Sequence, residues 1–363
     1  MNQPEAIIFL VPGFPGSETE TDCLPPVQNF VKALATRNPN VAVHVVSFQY
    51  PFKRGTYSWH GVTVHAIAGE NKRFPFRLWT WFQGVRRVRR LTRSHSVIAL
   101  HSMWLGECTY VASYFARTGG PKLIASIQGQ DALSDNPYLK RIPFDRVIVT
   151  AGSAKAADAF HESTGRRVNH IVPTGVDFNL PASNGATIDR TIDILGVGSL
   201  SPVKDFDSFL EIVSKVRGDC PTLQCCIIGE GPEREHLDRY IKEYKLETVV
   251  RLAGRLSRER VLDAMRKSRI LLHTSRYEGQ GYVFLEALAS GTRVVCRDVG
   301  YTGSGNGAYR CKTNEEMVNV LKTLLASPLD PLKVDVVGID DTARAFEQIY
   351  GLTKGPVSIN GKF

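Results

Sequence analysis

Ser275-Arg276-Tyr277-Glu278-Gly279-Gln280-Gly281-Tyr282-Val283-Phe284-Leu285-Glu286-Ala287-Leu288-Ala289-Ser290-Gly291 is the stretch that decides the reading of this 363-residue chain. The β-branched run Ile270–His273 just before it reads as a strand, and the apolar run from Tyr282 reads as a helix closed by Gly291. A strand that turns through glycines into a helix is half of a βαβ unit. The amino end of such a helix lies at the carboxyl edge of the sheet, where anions bind. Backbone N–H groups near Gly281, Tyr282 and Val283 are therefore expected to face a ligand. Glu278 precedes the helix and Glu286 lies one to two turns inside it. Their carboxylates can accept hydrogen bonds from two sets of hydroxyls, one on a sugar and one on a ribose. A solvated helix face is the other reading of Glu286.

Upstream, the strand Ile192–Val197 runs into Gly198-Ser199-Leu200-Ser201-Pro202-Val203-Lys204. Glycine lets the backbone approach a diphosphate, and Lys204 supplies a point charge for it. Further strands are expected at Leu223–Ile228, Val249–Leu252 and Arg293–Cys296, with helices over Phe206–Arg217 and Arg234–Tyr244. The first half repeats the pattern, with strands near Ala6–Val11, Val41–Phe48, Val62–Ile67, Val97–Leu100, Leu123–Ile127 and Arg146–Val149. The series breaks once, in the Pro-, Gly- and Asn-rich stretch after Val172. The fold class is thus α/β, with two Rossmann-like doubly wound domains facing a cleft. The boundaries are 1–173 for the first domain, 174–189 for a linker, 190–335 for the second domain and 336–363 for a helix and tail packing back on the first domain.

Length and composition agree, since 363 residues suit two domains and 43% hydrophobic with 22% charged residues is ordinary globular chemistry. No run of about 18 apolar residues is present, and the opening residues lack a basic leader, so a protein neither spanning a membrane nor secreted is expected. Seven cysteines without a Cys-x-x-Cys pair read as reduced thiols in a cytoplasmic protein. The net charge of +9 sits entirely in residues 1–173, which hold 20 basic and 11 acidic residues. Between Asn71 and His95 stand Lys72, Arg73, Arg77, Arg86, Arg87, Arg89, Arg90 and Arg93, without a carboxylate. Leu78, Trp81, Phe82, Val85, Val88 and Leu91 recur at helical spacing among them. A basic amphipathic helix with Trp79 and Trp81 suits an anionic membrane surface along 72–93, at the inner face of the cell membrane. A core-packed helix with solvated arginines is the plainer reading. Nucleic acid is not expected, because no base-reading motif accompanies the charge.

The two glutamates, with seven residues between them, together with Ser199–Lys204, resemble the donor site of the retaining glycosyltransferases of family 4, which have the two-domain GT-B fold and an E-x7-E motif. Val172-Pro173-Thr174-Gly175-Val176-Asp177 is similar to that family's interdomain hinge. The resemblance implies a nucleotide-diphosphate-sugar donor, a glycan or lipid-linked acceptor, and neither metal nor other cofactor. It implies that Lys204 binds the donor diphosphate, Glu278 the transferred sugar and Glu286 the ribose. It also implies front-side displacement, in which the departing phosphate helps deprotonate the acceptor. Gly13-Phe14-Pro15-Gly16 looks like the family's glycine loop, or else is an ordinary turn.

Two departures stand out. Ser199 occupies a position where relatives commonly have arginine, leaving Arg255 or a first-domain group to supply the second cation. Gln128 stands where many relatives have a histidine before Gly-x-Asp, here Gly129-Gln130-Asp131. Gln128 cannot shuttle a proton. His101, just before Ser102-Met103-Trp104, is the nearest substitute in sequence, with a structural role as the alternative. His101, Trp104, Gln128 and Asp131 are the acceptor-side candidates. These departures keep a non-catalytic nucleotide-sugar-binding subunit open as the alternative function. Asp205-Phe206-Asp207 has the Asp-x-Asp form of a metal-nucleotide signature, yet its place at a helix start explains the aspartates without metal. Gly303–Gly307 lacks the Lys-Ser/Thr sequel of a P-loop and reads as a mobile loop.

Overall fold

The computed structural model describes residues 3–116, 120–177, 189–305, 307–328, 332 and 334–354. The chain divides into two compact units, Met1–Gly175 with Gly338–Phe363, and Val176–Val337. The division falls inside the expected hinge, whereas residues 178–188 of the expected linker and 355–363 of the expected tail lie outside the described residues.

In the first unit the elements are β1 (Glu5–Gly13), α1 (Pro25–Arg37), β2 (Ala42–Tyr50), β3 (Gly55–Trp59), β4 (Val62–Ala66) and α2 (Phe76–Ser94). They continue with β5 (Ser96–Met103), α3 (Glu107–Ser113), β6 (Lys122–Ser126), β7 (Ile148–Ala151), α4 (Ala154–Thr164) and β8 (His170–Ile171). The sheet order is β3-β4-β2-β1-β5-β6-β7-β8. All neighbours are parallel except β3 and β4, which form a hairpin with Trp59 opposite Val62. His60 and Gly61, both at positive φ, make its two-residue turn. β3 was not expected from sequence, because Gly-Thr-Tyr-Ser-Trp is a mostly exposed edge without an apolar stripe.

The second unit contains β9 (Ile192–Val197), α5 (Phe206–Arg217), β10 (Cys225–Ile228), α6 (Arg234–Glu243), β11 (Val250–Gly254), α7 (Arg258–Arg266) and β12 (Ser268–His273). After these come α8 (Tyr282–Ala289), β13 (Arg293–Arg297), β14 (Ser304–Gly305), β15 (Ala308–Cys311), α9 (Asn314–Ala326) and β16 (Val334–Asp335). The parallel order β11-β10-β9-β12-β13-β15 reverses direction at β9. Alternate residues feed two cores, Ile194, Ile227 and Leu272 toward α5, α6 and α9, and Leu195, Ile228 and Leu271 toward α7 and α8. The Gly303–Gly307 segment is partly ordered, since β14 pairs antiparallel with β16, while Asn306 lies outside the described residues.

After β16 the chain returns to the first unit as α10 (Ile339–Tyr350). Glu347 accepts a two-pronged ion pair from Arg37 at 2.8 and 3.0 Å, and Phe346 packs on Phe30 with ring centroids 4.7 Å apart. Lys122 donates to the carbonyls of Ile349 and Tyr350, the negative end of the helix. His101 is fully buried beneath this helix. Its Nδ1 meets the Tyr350 hydroxyl at 2.6 Å and its Nε2 the Ser126 hydroxyl at 2.7 Å. This corrects the acceptor-side expectation: with both nitrogens paired and burial pushing its pKa down to about 3, His101 fastens α10 to the sheet.

Three further histidines form a row. Thr56 Oγ1 approaches His65 Nδ1 at 3.2 Å, His65 Nε2 approaches His44 Nδ1 at 3.3 Å, and His44 Nε2 approaches His95 Nε2 at 3.4 Å. If the Thr56 hydroxyl donates, His65 and His44 each need one proton, and a second on His44 would oppose donor to donor. Burial lowers His44 to about 4 and His65 to about 3. The neutral rings therefore stabilise the fold fully above the ordinary histidine pKa of about 6.5, and that stability is lost as pH falls toward 4. Each group contributes a slope of up to about 1.4 kcal/mol per pH unit. We predict that melting temperature declines between pH 6.5 and 4 and that His44→Phe with His65→Phe makes the decline shallower. An unchanged slope in the double variant would remove the row as its cause.

Candidate functional site

The strand order of the second unit switches direction at β9, and there the loops after β9 and β12 meet, with the Arg276 N–H donating to the Val203 carbonyl at 2.9 Å and the Thr274 hydroxyl to the Lys204 carbonyl at 3.1 Å. The β9 loop passes Gly198 and tightens into a single 3-10 turn, Pro202–Lys204. The β12 loop carries Glu278. Lys204 Nζ donates to Glu278 Oε1, and His273 Nε2 lies 2.8 Å from the same oxygen. Burial alone would raise the Glu278 carboxyl, but the His273 hydrogen bond and the Lys204 charge outweigh it and hold the group at about 2. Burial lowers His273 despite the pull of Glu278, so a neutral ring donates from Nε2. Across the neutral pH range Glu278 is therefore an ionised acceptor with one oxygen committed to two donors.

Glu286 lies in the buried face of α8, with Oε1 2.7 Å from Arg258 Nη1. Burial pushes the Glu286 carboxyl pKa up against the opposing charge and hydrogen bond of Arg258. The solvated-face reading of Glu286 fails, since the residue is only 8% exposed. Gly281 takes φ 75° at the start of α8, where a Cβ would stand 2.4 Å from the Phe284 ring. Only glycine lets the chain enter the helix here, which places the positive end of α8 beside the Glu278 loop. Tyr282 is the first residue of α8, with Arg258 over its ring at 6.0 Å, and Val283 follows in the same turn.

Arg255, the expected second cation, is exposed immediately after β11. Ser199 is also exposed, bonded to Ser201 at 3.1 Å. The cation that reaches a site carboxylate is Arg258, three residues later, at the first position of α7. Sequence reasoning missed it and His273. The available signals were the Ser257 start of α7 and a polar ring ending a strand five residues before Glu278. Asp205 accepts from Arg276 at 3.1 Å and Arg297 at 3.2 Å, and Asp207 lies 2.9 Å from His236 Nε2, so both carboxylates of this motif have side-chain partners.

In the first unit, Gly13 is still in register with Tyr50, and the Gly16 N–H donates to Glu20 at 2.7 Å. Asp131 is a loop staple, accepting from the N–H groups of Leu105 at 2.7 Å, Gly129 at 2.6 Å and Gln128 at 3.2 Å. That use of both oxygens corrects its placement as an acceptor contact. The Gln128 amide points to Met103 sulfur at 3.5 Å, and Trp104 has a positive φ of 68° at the carboxyl end of β5.

Residues 184–344 match the model of the family Glycosyl transferases group 1. The GPI3 subunit of the Saccharomyces cerevisiae phosphatidylinositol N-acetylglucosaminyltransferase is 26% identical over 163 residues, which are 43% of this chain and 36% of that one. The alpha-monoglucosyldiacylglycerol synthase of Acholeplasma laidlawii is 23% identical over 262 residues, 66% of this chain and 63% of that one. The sucrose-phosphate synthase of Thermosynechococcus elongatus superposes with a TM-score of 0.71 at 15% identity, covering 95% of this chain and 94% of that one. The fold is GT-B, the second unit carries most of the group 1 family match, and the chain spans less than two thirds of the length of these two glycosyltransferase relatives.

Proposed function

We propose that this protein is a retaining, metal-independent glycosyltransferase that moves a sugar from a nucleoside-diphosphate donor to a hydroxyl of a glycan or lipid-linked acceptor. The observation that carries the reading is the meeting of Lys204, Glu278 and His273 at the β9 switch, with Glu286 in the first turns of α8. Lys204 and the amino end of α8 would stabilise the charge on the leaving diphosphate. Glu278, ionised and held by His273, accepts from a sugar hydroxyl, and the Glu286 carboxylate, held by Arg258, accepts from the ribose. The engagement of Asp205 with Arg276 and Arg297 supports a reaction without metal.

The lipid-glycosylating names of two relatives favour a lipid-linked acceptor and a peripheral place at the cytoplasmic face of a membrane. Among the described residues no helix is long and apolar enough to cross one. The surface of α2 supports attachment instead. Leu78 and Phe82 were expected on its packed face, yet they are 46% and 55% exposed, with Trp79 at 61%. Thr80, Gln83 and Gly84 face the sheet because the helix is seated so closely that a Cβ on Gly84 would be 2.8 Å from the Phe48 ring. Trp81 alone of the tryptophan pair turns inward, donating to Glu107 at 2.9 Å.

The test is thermal stabilisation by uridine, guanosine and adenosine diphosphates and their sugars, followed by product analysis with the stabilising donor. We predict one base to raise the melting temperature, a product with the donor's anomeric configuration, and turnover unaffected by chelator. Inversion or chelator sensitivity would overturn the mechanism, and donor binding without product on any acceptor would make the chain a binding subunit.

A further inference from the structure

Beside α2 lies a hollow of about 130 Å³, lined by Arg54, Ile67, Gln83, Arg86, Arg87 and Arg90. Four of the six are guanidiniums, and none is a carboxylate. Arg54 is bonded to the Gln83 carbonyl at 2.6 Å, while among the described residues no acid pairs with Arg86, Arg87 or Arg90. Arginine cannot shed its proton to relieve such crowding. Burial and then the charges of Arg90, Arg54 and Arg86 all act against the charged form of Arg87. The fold thus holds together four cations that repel one another, a state that an anion in their midst would relieve.

We propose that this hollow binds the phosphomonoester headgroup of a membrane lipid. At about 30 Å³ per water the volume holds roughly four waters, the scale of the four oxygens of a phosphate group. Guanidinium forks match phosphate oxygens two at a time, and a monoester carries a charge of about −1.5 to −2 against −1 for a diester. The source follows from what adjoins the hollow. A groove of about 480 Å³ shares Arg86 and Arg90 with it and is also lined by Phe82 and Val85. Phe82 precedes Arg86 by four residues, so the two lie on one stripe of the helix. Beyond Phe82, Trp79 stacks on it with centroids 5.5 Å apart, and Phe76 and Phe74 follow, 67% and 78% exposed. Phosphate at one end and bare aromatic surface at the other describe an amphiphile at a membrane interface, where tryptophan concentrates.

The inference rests on the membrane reading above and adds a headgroup preference to it. The test is sedimentation of the full chain with phosphatidylcholine vesicles containing either phosphatidate or phosphatidylglycerol, mole fractions set to equal surface charge. Binding is expected to be about tenfold tighter on phosphatidate. Arg87→Gln with Arg90→Gln should abolish that preference, whereas Arg93→Gln, outside the hollow, should keep it. Trp79→Ala with Phe82→Ala should weaken binding to both vesicles alike. Arg87→Gln should also raise the melting temperature in anion-free buffer, which separates loss of binding from loss of fold. Equal affinity for the two vesicles would overturn the headgroup site and leave membrane attachment standing, and no vesicle binding would remove both. Inorganic phosphate displacing the protein at micromolar concentration would make a free phosphate the ligand, and tighter binding to single-stranded oligonucleotide than to any vesicle would overturn the lipid assignment.

Discussion

Replacing Lys204 by alanine is expected to lower turnover by about 10²–10³-fold, the usual effect of losing one donor to charge that develops in a transition state. The loss is not shared with a neighbouring arginine, because position 199 is an exposed serine and Arg276 is turned to Asp205. Nucleoside-diphosphate affinity should fall while that of the free nucleoside holds, whereas Glu286→Ala should weaken both alike. Glu278 remains bonded to His273 in the Lys204 variant, so the carboxylate keeps its place although its pKa rises. Calorimetry with nucleoside and nucleoside diphosphate decides the matter, and parental affinity for both in the Lys204 variant would withdraw the donor assignment.

Gly229→Ala should be the most disruptive single-methyl change in the second unit. A Cβ at this position would be 1.8 Å from the Gly198 carbonyl oxygen, a backbone atom that cannot swing aside as a side chain can. Gly231 is similarly close, 2.3 Å from the Leu200 carbonyl oxygen. The turn after β10 therefore lies against the loop that presents Lys204, and a methyl must push the two apart. Overpacking of this kind costs about 1–3 kcal/mol or more, and donor affinity should fall with it. Gly218→Ala is the control, since its nearest contact would be 3.6 Å away. A Gly229→Ala protein with parental melting temperature and donor affinity would show that the loop is not held by this contact.

Most strands of both sheets were legible because buried parallel strands are written in runs of β-branched residues, as at Ile192–Val197 and Ile270–His273. Lys204, Glu278 and Glu286 were legible for a related reason, each being fixed by a local turn from strand toward helix. The partners of those residues were not. His273 reaches Glu278 from a strand end and Arg258 reaches Glu286 from another helix, and neither approach leaves a mark in local spacing. Sequence left both the structural and the acceptor-side reading of His101 open, because the Tyr350 hydroxyl that satisfies it is 249 residues away. Along α2 the spacing alone suggested which side chains would be buried, but it could not show that Gly84 brings the helix down onto Phe48 and leaves Phe82 outside.

The return of α10 to the first unit also sets an order of events during synthesis. Residues 176–337 are contiguous and can complete their core as soon as they leave the ribosome. The earlier-made segment cannot, because Phe30 and His101 wait for Phe346 and Tyr350. At about 5–20 residues per second, a nascent chain that has just added Ser126 needs roughly 10–45 s to reach the tyrosine that closes over His101. For that interval a buried-to-be imidazole and an aromatic face stay open, and a trigger-type chaperone has its opportunity on the amino-terminal half of the polypeptide rather than on the half that finishes later.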